Sequence, residues 1–384
     1  MSILESAKET LSVKRMQPKK PWVTPETLAM IEEKRSCPRE SERYRQLKRK
    51  VRSSLRRDRR THLEGICEEM EEFQKRNDSK GMFATVNRLT KQACPTVKLV
   101  RDKQGHILTE DPEILQRWGE YCENLYSDPE NDGHESVRMG GNQEPTPLLE
   151  EVEKAIKAMR PGKAAGPDEI PAELLKLGEG TVIKAMHKII ERVWQTGEWP
   201  EDWTQSTFVP IYKKGDPAVC ANYRTISLIS HASKVLLKII QDRMREKVEC
   251  EVAEEQAGFR RNRGTQNHLC SLRIITEKAR SHRQPLYLCF IDFEKAFDTV
   301  SHKKLWQTML SMGFAPHIVT LIKTLYTAQR SNVRVHGQTS NWFTVLKGVR
   351  QGCLLSPYLF NIMAELLMRV ALDGYDGGFR VGGG

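Results

Sequence analysis

No apolar stretch in the 384 residues approaches the roughly 20 that a membrane-spanning helix needs, so no membrane partner is expected. The opening residues, MSILESAKETLSVKRM, contain no apolar core of the kind a secretory signal carries. Nine cysteines are scattered singly and none forms a C-x-x-C pair. That spacing argues against a zinc ribbon or a disulfide framework and for reduced thiols inside a cell; the lack of a secretory signal and the basic run at 43–60 lead to the expectation of the nucleus, the cytoplasm or both. No internal repeat is visible, which removes solenoids and propellers. Acid is also in deficit: 50 Asp and Glu face 61 Lys and Arg, for a net charge of +11 and a pI of 9.1. A positive excess of that size favours a polyanionic partner, most simply nucleic acid.

What is present describes a core-forming protein on the charged side, with 39% hydrophobic and 29% charged residues. The length allows two or three domains or one large one. Residues 1–20 are polar and basic and are expected to be disordered. PWVTPETLAMIEEKR then starts a helix, with Thr24 placed to cap it and Pro25 at the first helical position. From Arg43 to Arg60 ten positions are Lys or Arg, and Asp58 is the only acid. Such a run suits either a solvated helix face or nuclear-import patch, or an arm on a phosphate backbone. A second helix starts at Asp111, with Leu115, Trp118, Cys122 and Leu125 on one face. Residues 127–147 lack periodicity and read as a linker between a helical region, 21–126, and a larger domain, 148–384.

Within 148–384, helices are expected after Leu149, after Pro171, around Val182–Val193 and from Lys234 to Lys247. Four segments there carry candidate chemistry. TFVPIYKKGDPAVCANYRTISLI reads as two strands about a turn at Gly215-Asp216-Pro217, with Lys213, Lys214 and Arg224 as cations that suit a triphosphate or merely charge a surface hairpin. QAGFRRNRGTQNHL brackets Phe259 and three arginines with Gly258 and Gly264, either a contact for a nucleic-acid strand or a basic loop ahead of a helix. LYLCFIDFEKAFDTV packs Leu286–Ile291 into an apolar run, expected to be a strand buried on both faces, that ends on Asp292 and turns into a helix. A buried acid there must be neutral, paired, metal-bound or hydrogen-bonded to backbone donors, and Asp298 reads equally as an ordinary acid of a helix N-terminus. LKGVRQGCLLSPYLFNIMAELL sets Gln351 between Gly348 and Gly352, ahead of an apolar helix.

In this order and spacing the four segments resemble the reverse transcriptases of non-LTR (LINE-type) retrotransposons. The likeness runs from about residue 150 onward and is most specific from Phe208 to Asn361. GKAAGPDEIPAELL looks like the segment that these enzymes carry ahead of the fingers, and 21–126 resembles the connector that follows their endonuclease. The resemblance implies an α+β fold: right-hand polymerase fingers and a partial palm, preceded by a basic helical connector. It implies an RNA template, a DNA primer and dNTPs as partners, and in-line phosphoryl transfer with two Mg²⁺ ions, or Mn²⁺ in their place. By position, Asp292 matches a catalytic, metal-binding aspartate, with the Phe293 carbonyl beside it. Phe297 matches the aromatic residue that clashes with a ribose 2′-hydroxyl. Lys213, Lys214 and Arg224 match cations on the triphosphate. Gln351 and Gly352 match the loop under nucleotide and template, and Gln256, Gly258, Phe259 and Arg260 a template-side loop. Thr225 departs from the pattern, which more often has Pro or Gly there.

One further departure is larger. The family's second carboxylate pair sits in a Tyr-Ala-Asp-Asp hairpin, and no Y-x-D-D occurs anywhere in the sequence. GFRVGGG, at the end, matches the strand before that hairpin. The expectation is therefore a fragment without the endonuclease, the Asp pair or the thumb, inactive alone. The alternative is a non-enzymatic RNA- or DNA-binding remnant of a retroelement.

Overall fold

The computed structural model describes residues 22–38, 40–76, 78, 81–82, 85–86, 97, 99–130 and 143–375. The expected disordered tail, most of the linker and the GFRVGGG strand lie outside the described residues. The chain divides into two compact units between positions 94 and 95.

The first unit holds α1 (Pro25–Ser36) and α2 (Glu42–Lys75). Thr24 accepts from the Thr27 amide as expected of a cap. Leu47, Val51, Ser54 and Asp58 recur every three or four residues on α2 and are all buried. Asp58 is the pin of this unit. Its Oδ2 accepts from the Thr27 hydroxyl (2.7 Å), the Thr24 hydroxyl (2.9 Å) and the Thr24 amide (3.1 Å). Those donors, Thr27 first, hold its pKa below the usual carboxylate range. All ten cations of 43–60 are exposed.

The second unit begins with a small hairpin of β1 (Val100–Arg101) and β2 (Ile107–Leu108), then α3 (Asp111–Tyr126). Four helices follow: α4 (Leu149–Lys157), α5 (Ala172–Leu177), α6 (Glu179–Thr196) and the single turn α7 (Glu201–Thr204). Gly197, at φ +72°, stops α6 where the sequence predicts. The expected strand pair is β3 (Gln205–Tyr212) and β4 (Tyr223–Ile229), antiparallel from Ser206 opposite Ile229 to Tyr212 opposite Tyr223. Then come α8 (His231–Glu251), α9 (Thr265–Ser281), α10 (His302–Ser311) and α11 (Pro316–Thr327). β5 (Arg330–Val335), β6 (Gln338–Thr339), β7 (Phe343–Thr344) and α12 (Ser356–Ala371) complete the fold. The sheet order is β4-β3-β5-β6, with β7 also on β5, and β3 runs parallel to β5.

Two cores hold this unit. One joins α4, α6, α8, α10, α11 and α12 around Trp194, Leu236, Leu305, Leu325 and Leu359. The other seats Trp118, Cys122 and Tyr126 of α3 against Phe208, Tyr223, Val333 and Phe343 of the sheet. Trp118 meets the Tyr223 ring edge-on at 5.2 Å. α3 is thus part of the second unit, and the compact units do not divide at 127–147. The helical face that the sequence shows on α3 is apolar because the sheet covers it.

The expected buried strand at 286–291 is not formed. These residues carry no regular structure, and Tyr287, Phe290 and Ile291 are 91%, 79% and 73% exposed. The helix expected after Asp292 is a series of turns with Lys295 at φ +49°. Strand composition records a fit to a pleated, half-buried surface, and among the described residues no strand pairs with this run. Backbone amides of 286–293 should therefore exchange with solvent near the unstructured rate while those of β3 and β4 are protected. Hydrogen–deuterium exchange resolves the two, and strong protection at 287–291 would contradict this structure.

Candidate functional site

The loop 348–352 is pressed between β4 and residues 297–300. Gly348 has φ +86°, and a Cβ there would lie 2.8 Å from the Asp298 carbonyl oxygen. Gly352 has φ +123°, and a Cβ there would lie 2.7 Å from the Ser227 carbonyl oxygen. Both contacts are shorter than a side chain tolerates, and both backbones are in the left-handed half of φ that glycine adopts freely. The close approach lets the loop bond on both sides. Val349 N donates to Phe297 O and Gly348 N to Val300 O, each at 2.7 Å. Ser227 N of β4 donates to Gln351 O at 2.6 Å.

Two buried side chains brace the same loop. His302 Nε2 donates to the Gly348 carbonyl at 2.7 Å, and burial pushes its pKa down to about 4. The Arg350 guanidinium, 3% exposed, donates to the carbonyls of Trp203 and Thr204 at the end of α7 and lies over the Tyr326 ring. A cation on the carbonyl end of a helical turn is favoured by its dipole.

At the centre is Asp298. Its Oδ1 accepts from the Tyr126 hydroxyl of α3 at 2.8 Å and from Gln351 Nε2 at 3.1 Å. Tyr126 in turn bonds the Thr225 hydroxyl of β4 at 2.9 Å. Burial raises the Asp298 pKa, opposed by the Tyr126 hydrogen bond, the charge of Lys295 and the Gln351 hydrogen bond. Burial likewise lifts Tyr126 well above the ordinary tyrosine range, so its hydroxyl keeps its proton. Beside this knot Phe297 stacks on Phe360 (5.0 Å, 13° between planes) and takes the edge of Phe259 (5.8 Å). Phe259 has φ +60° and is half exposed. Its loop is fixed by Gln256 Oε1, which accepts from Gly258 N, and by Asn361 Nδ2, which donates to Gly258 O.

Residues 211–374 match the family model described as reverse transcriptase (RNA-dependent DNA polymerase). The chain carries a reverse transcriptase domain of the non-LTR retrotransposon kind. The transposon TX1 uncharacterized 149 kDa protein of Xenopus laevis is 28% identical over 280 residues, 69% of this chain and 21% of that protein. The RNA-directed DNA polymerase from mobile element jockey of Drosophila funebris is 27% identical over 59% of this chain and 25% of its own length. The Pol polyprotein of a type-1 R2 retrotransposable element from Popillia japonica is 28% identical over 57% and 30% respectively. The chain therefore spans between about a fifth and a third of the length of these relatives.

Within the reverse transcriptase domain the expected site residues fall into three groups. Phe297, Gln351 and Gly352 meet beside β4, and the Gln256–Arg260 loop joins them through Phe259. Lys213 and Lys214 stand exposed where the β3–β4 hairpin turns, and Arg224 is exposed on β4 opposite Ile211. Thr225, the next residue on β4, points to the other face and is buried, as strand alternation requires. Arg260 is not a free cation: it donates to Glu249 Oε2 (2.9 Å) and to the Ala253 and Gln256 carbonyls, so it braces its own loop.

The third group is Asp292 and Phe293, which are exposed and join no metal cluster. Among the described residues no three His, Cys, Asp or Glu are placed to hold an ion together. Another acid of the segment, Asp298, commits Oδ1 to Tyr126 and Gln351. A pair of divalent ions needs several carboxylates, and the described residues do not bring them together. From the sequence Asp298 reads equally as an ordinary helix-terminal acid, and Tyr126 carries no signal. No local signal links positions 172 residues apart. The one available sign was Thr225, an unusual residue at its position whose hydroxyl is part of the knot.

Gly352→Ala should cost roughly 2 kcal/mol or more through backbone strain and the clash with Ser227. Gly264→Ala, with extended backbone and open space around it, should stay within about 0.5 kcal/mol. Denaturant unfolding compares the two, and equal stabilities would refute the close approach. His302 gives a pH dependence. The unfolded chain takes up its proton at the ordinary 6.5 and the fold only at about 4, so this contribution is complete above 6.5 and falls as pH drops. Stability should decline by about 2 kcal/mol between pH 7 and 5 from this group alone. His302→Gln, which keeps a donor but does not titrate, should flatten that decline.

Proposed function

We propose that this chain supplies the fingers and part of the palm of an RNA-directed DNA polymerase, holding RNA template, DNA primer and incoming dNTP, with α1–α2 as its basic connector. The observation that carries the reading is the loop 348–352 locked against β4, with Gln351 and Gly352 beside the Phe297–Phe360 stack. In this reading Lys213, Lys214 and Arg224 hold the triphosphate, whose oxygens suit cations with several N–H donors. Phe297, backed by Phe360, lies at the sugar. Gln351 and Gly352 form the floor under nucleotide and template, and Gln256, Gly258 and Phe259 the template side, with Phe259 offering a ring for stacking. Arg260 keeps that loop in shape. The exposed cations of α2 add a sequence-independent hold on phosphates by releasing counterions. Such partners place the protein in the nucleus, the cytoplasm or both.

Divalent ions, Mg²⁺ or Mn²⁺, would activate the primer hydroxyl and brace the triphosphate, and Asp292 with the Phe293 carbonyl would be one ligand set among several. Because the described residues do not complete a two-ion site, binding and not bond formation is the activity proposed for them by themselves. The second reading, a nucleic-acid-binding remnant without nucleotide recognition, is favoured by the ten exposed cations of 43–60 on α2.

Fluorescence anisotropy of an RNA template–DNA primer with a dideoxy end separates the two. A polymerase cradle predicts that the complementary dNTP slows dissociation and a mismatched one does not. Lys213→Ala/Lys214→Ala/Arg224→Ala should remove that difference and leave most of the dNTP-free affinity. Equal dissociation with every dNTP would leave only the remnant reading. Primer extension by the wild-type chain, lost in Asp292→Ala, would sink the proposal that these residues do not polymerise alone.

A further inference from the structure

Tyr126 lies upstream of the segment that matches the reverse transcriptase family, yet its hydroxyl is wired to the Gln351 loop. We propose that Tyr126 and Asp298 are positioning residues that orient the side-chain amide of Gln351, turning Nε2 inward and presenting Oε1 as a hydrogen-bond acceptor to the bound nucleic acid. The proposal rests on the reading of Gln351 as part of the floor under template and nucleotide.

The argument is one of donors and acceptors. Asp298 Oδ1 is the acceptor in both of its hydrogen bonds, so both groups that meet it donate. Tyr126 gives its single proton to Asp298, and the Thr225 hydroxyl must then donate to Tyr126. Gln351 likewise must turn its NH₂ toward Asp298, which leaves its carbonyl oxygen as the remaining polar atom of the amide. The Gln351 backbone is already fixed by Ser227 N and by Gly352, so rotation of the amide is the freedom that Asp298 removes. Immobilising a rotamer-rich side chain before a ligand arrives lowers the entropy lost on binding. Tyr126 is itself held by more than its hydroxyl: its ring packs on Phe208 at 5.0 Å, and its carbonyl accepts from Leu346 N at 3.0 Å. An element ahead of the matched domain thereby sets the polarity of one atom on the domain's proposed floor. An acceptor there selects a donor, either a 2′-hydroxyl of an RNA template or a base N–H.

The first test reads the amide without any ligand. In the 384-residue chain labelled with ¹⁵N at glutamine side chains, the Gln351 signals are assigned by their loss in Gln351→Leu. They should exchange slowly with solvent and move to the position of exposed glutamines in Asp298→Ala. Tyr126→Phe removes one oxygen from a ring that still packs, and should move them in the same direction where Asp298→Ala fails to fold. Signals that stay put in Tyr126→Phe overturn the proposal. The second test is a double-mutant cycle read by heteroduplex binding. Tyr126→Phe should weaken binding about fivefold in the native background and less than about twofold in Gln351→Leu. Equal losses in both backgrounds would show that Tyr126 supports the fold and nothing more. Repeating the cycle on a DNA template of the same sequence identifies the donor: the coupling disappears if it is a 2′-hydroxyl and persists if it is a base N–H. A wild-type chain that binds no heteroduplex defeats the proposed function and the ligand-facing half of this proposal, while the amide signals still decide the orienting half.

Discussion

A carboxylate taken out of water must find donors, and at Asp298 the donors come from parts of the chain that sequence keeps far apart. Tyr126 belongs to α3 and Gln351 to the loop ahead of α12, while Thr225 of β4 completes the chain of hydroxyls. The backbone of the same residue is equally committed, since its carbonyl lies where a side chain at position 348 would have to go. Removing the acid leaves the Tyr126 hydroxyl buried with one partner fewer. Removing the glycine pushes the loop off the acid. The loop, the sheet and α3 are therefore placed by mutual exclusion as much as by attraction. Such an arrangement favours one register, because Asp298, Tyr126 and Gln351 meet one another in that register alone.

How much of this could be read from the sequence depends on how far a signal has to travel. α1, α3, α6 and α8 follow from periodicity and caps within a few residues, and the β3–β4 hairpin follows from Gly215-Asp216-Pro217 between two alternating runs. The 348–352 loop was legible as two glycines around an arginine and a glutamine, though not the reason for them, which is the proximity of two distant carbonyls. What failed was non-local. Leu286–Ile291 has the composition of a buried strand, and composition does not supply neighbours. Asp298 shares its spacing with a plain helix acid, and only Tyr126 and Gln351 make it something else. Arg260 sits in a basic run whose sequence gives no hint that Glu249 and two carbonyls take up its donors.

Two other acids differ from Asp292 in one respect. Asp58 and Asp298 are buried and supplied with hydroxyl donors, and each fixes the packing of its own unit. Asp292 is exposed and is drawn into no such network. A residue that serves chemistry must keep its lone pairs available, whereas one that serves architecture gives them away. By that criterion Asp298 is architectural, whereas Asp292 remains open to a ligand. The apolar residues around Asp292 carry a cost in this state: Tyr287, Phe290 and Ile291 expose surface that β-pairing would cover, and an uncovered run of this composition favours association.

Charge follows the same division of labour. Between Arg43 and Arg60 of α2 the only acid among ten cations points inward to Thr24 and Thr27, so it neutralises little of the field that the basic face presents to solvent. Burying Asp58 serves the fold and preserves the positive surface at once. Had that acid stood among the exposed arginines, it would have formed the weak, screened pairs typical of surfaces and reduced the local potential. Keeping Asp58 inside thus removes one competitor from a basic face on which Glu33, Glu42 and Glu26 already pair with Arg43, Arg45 and Arg57.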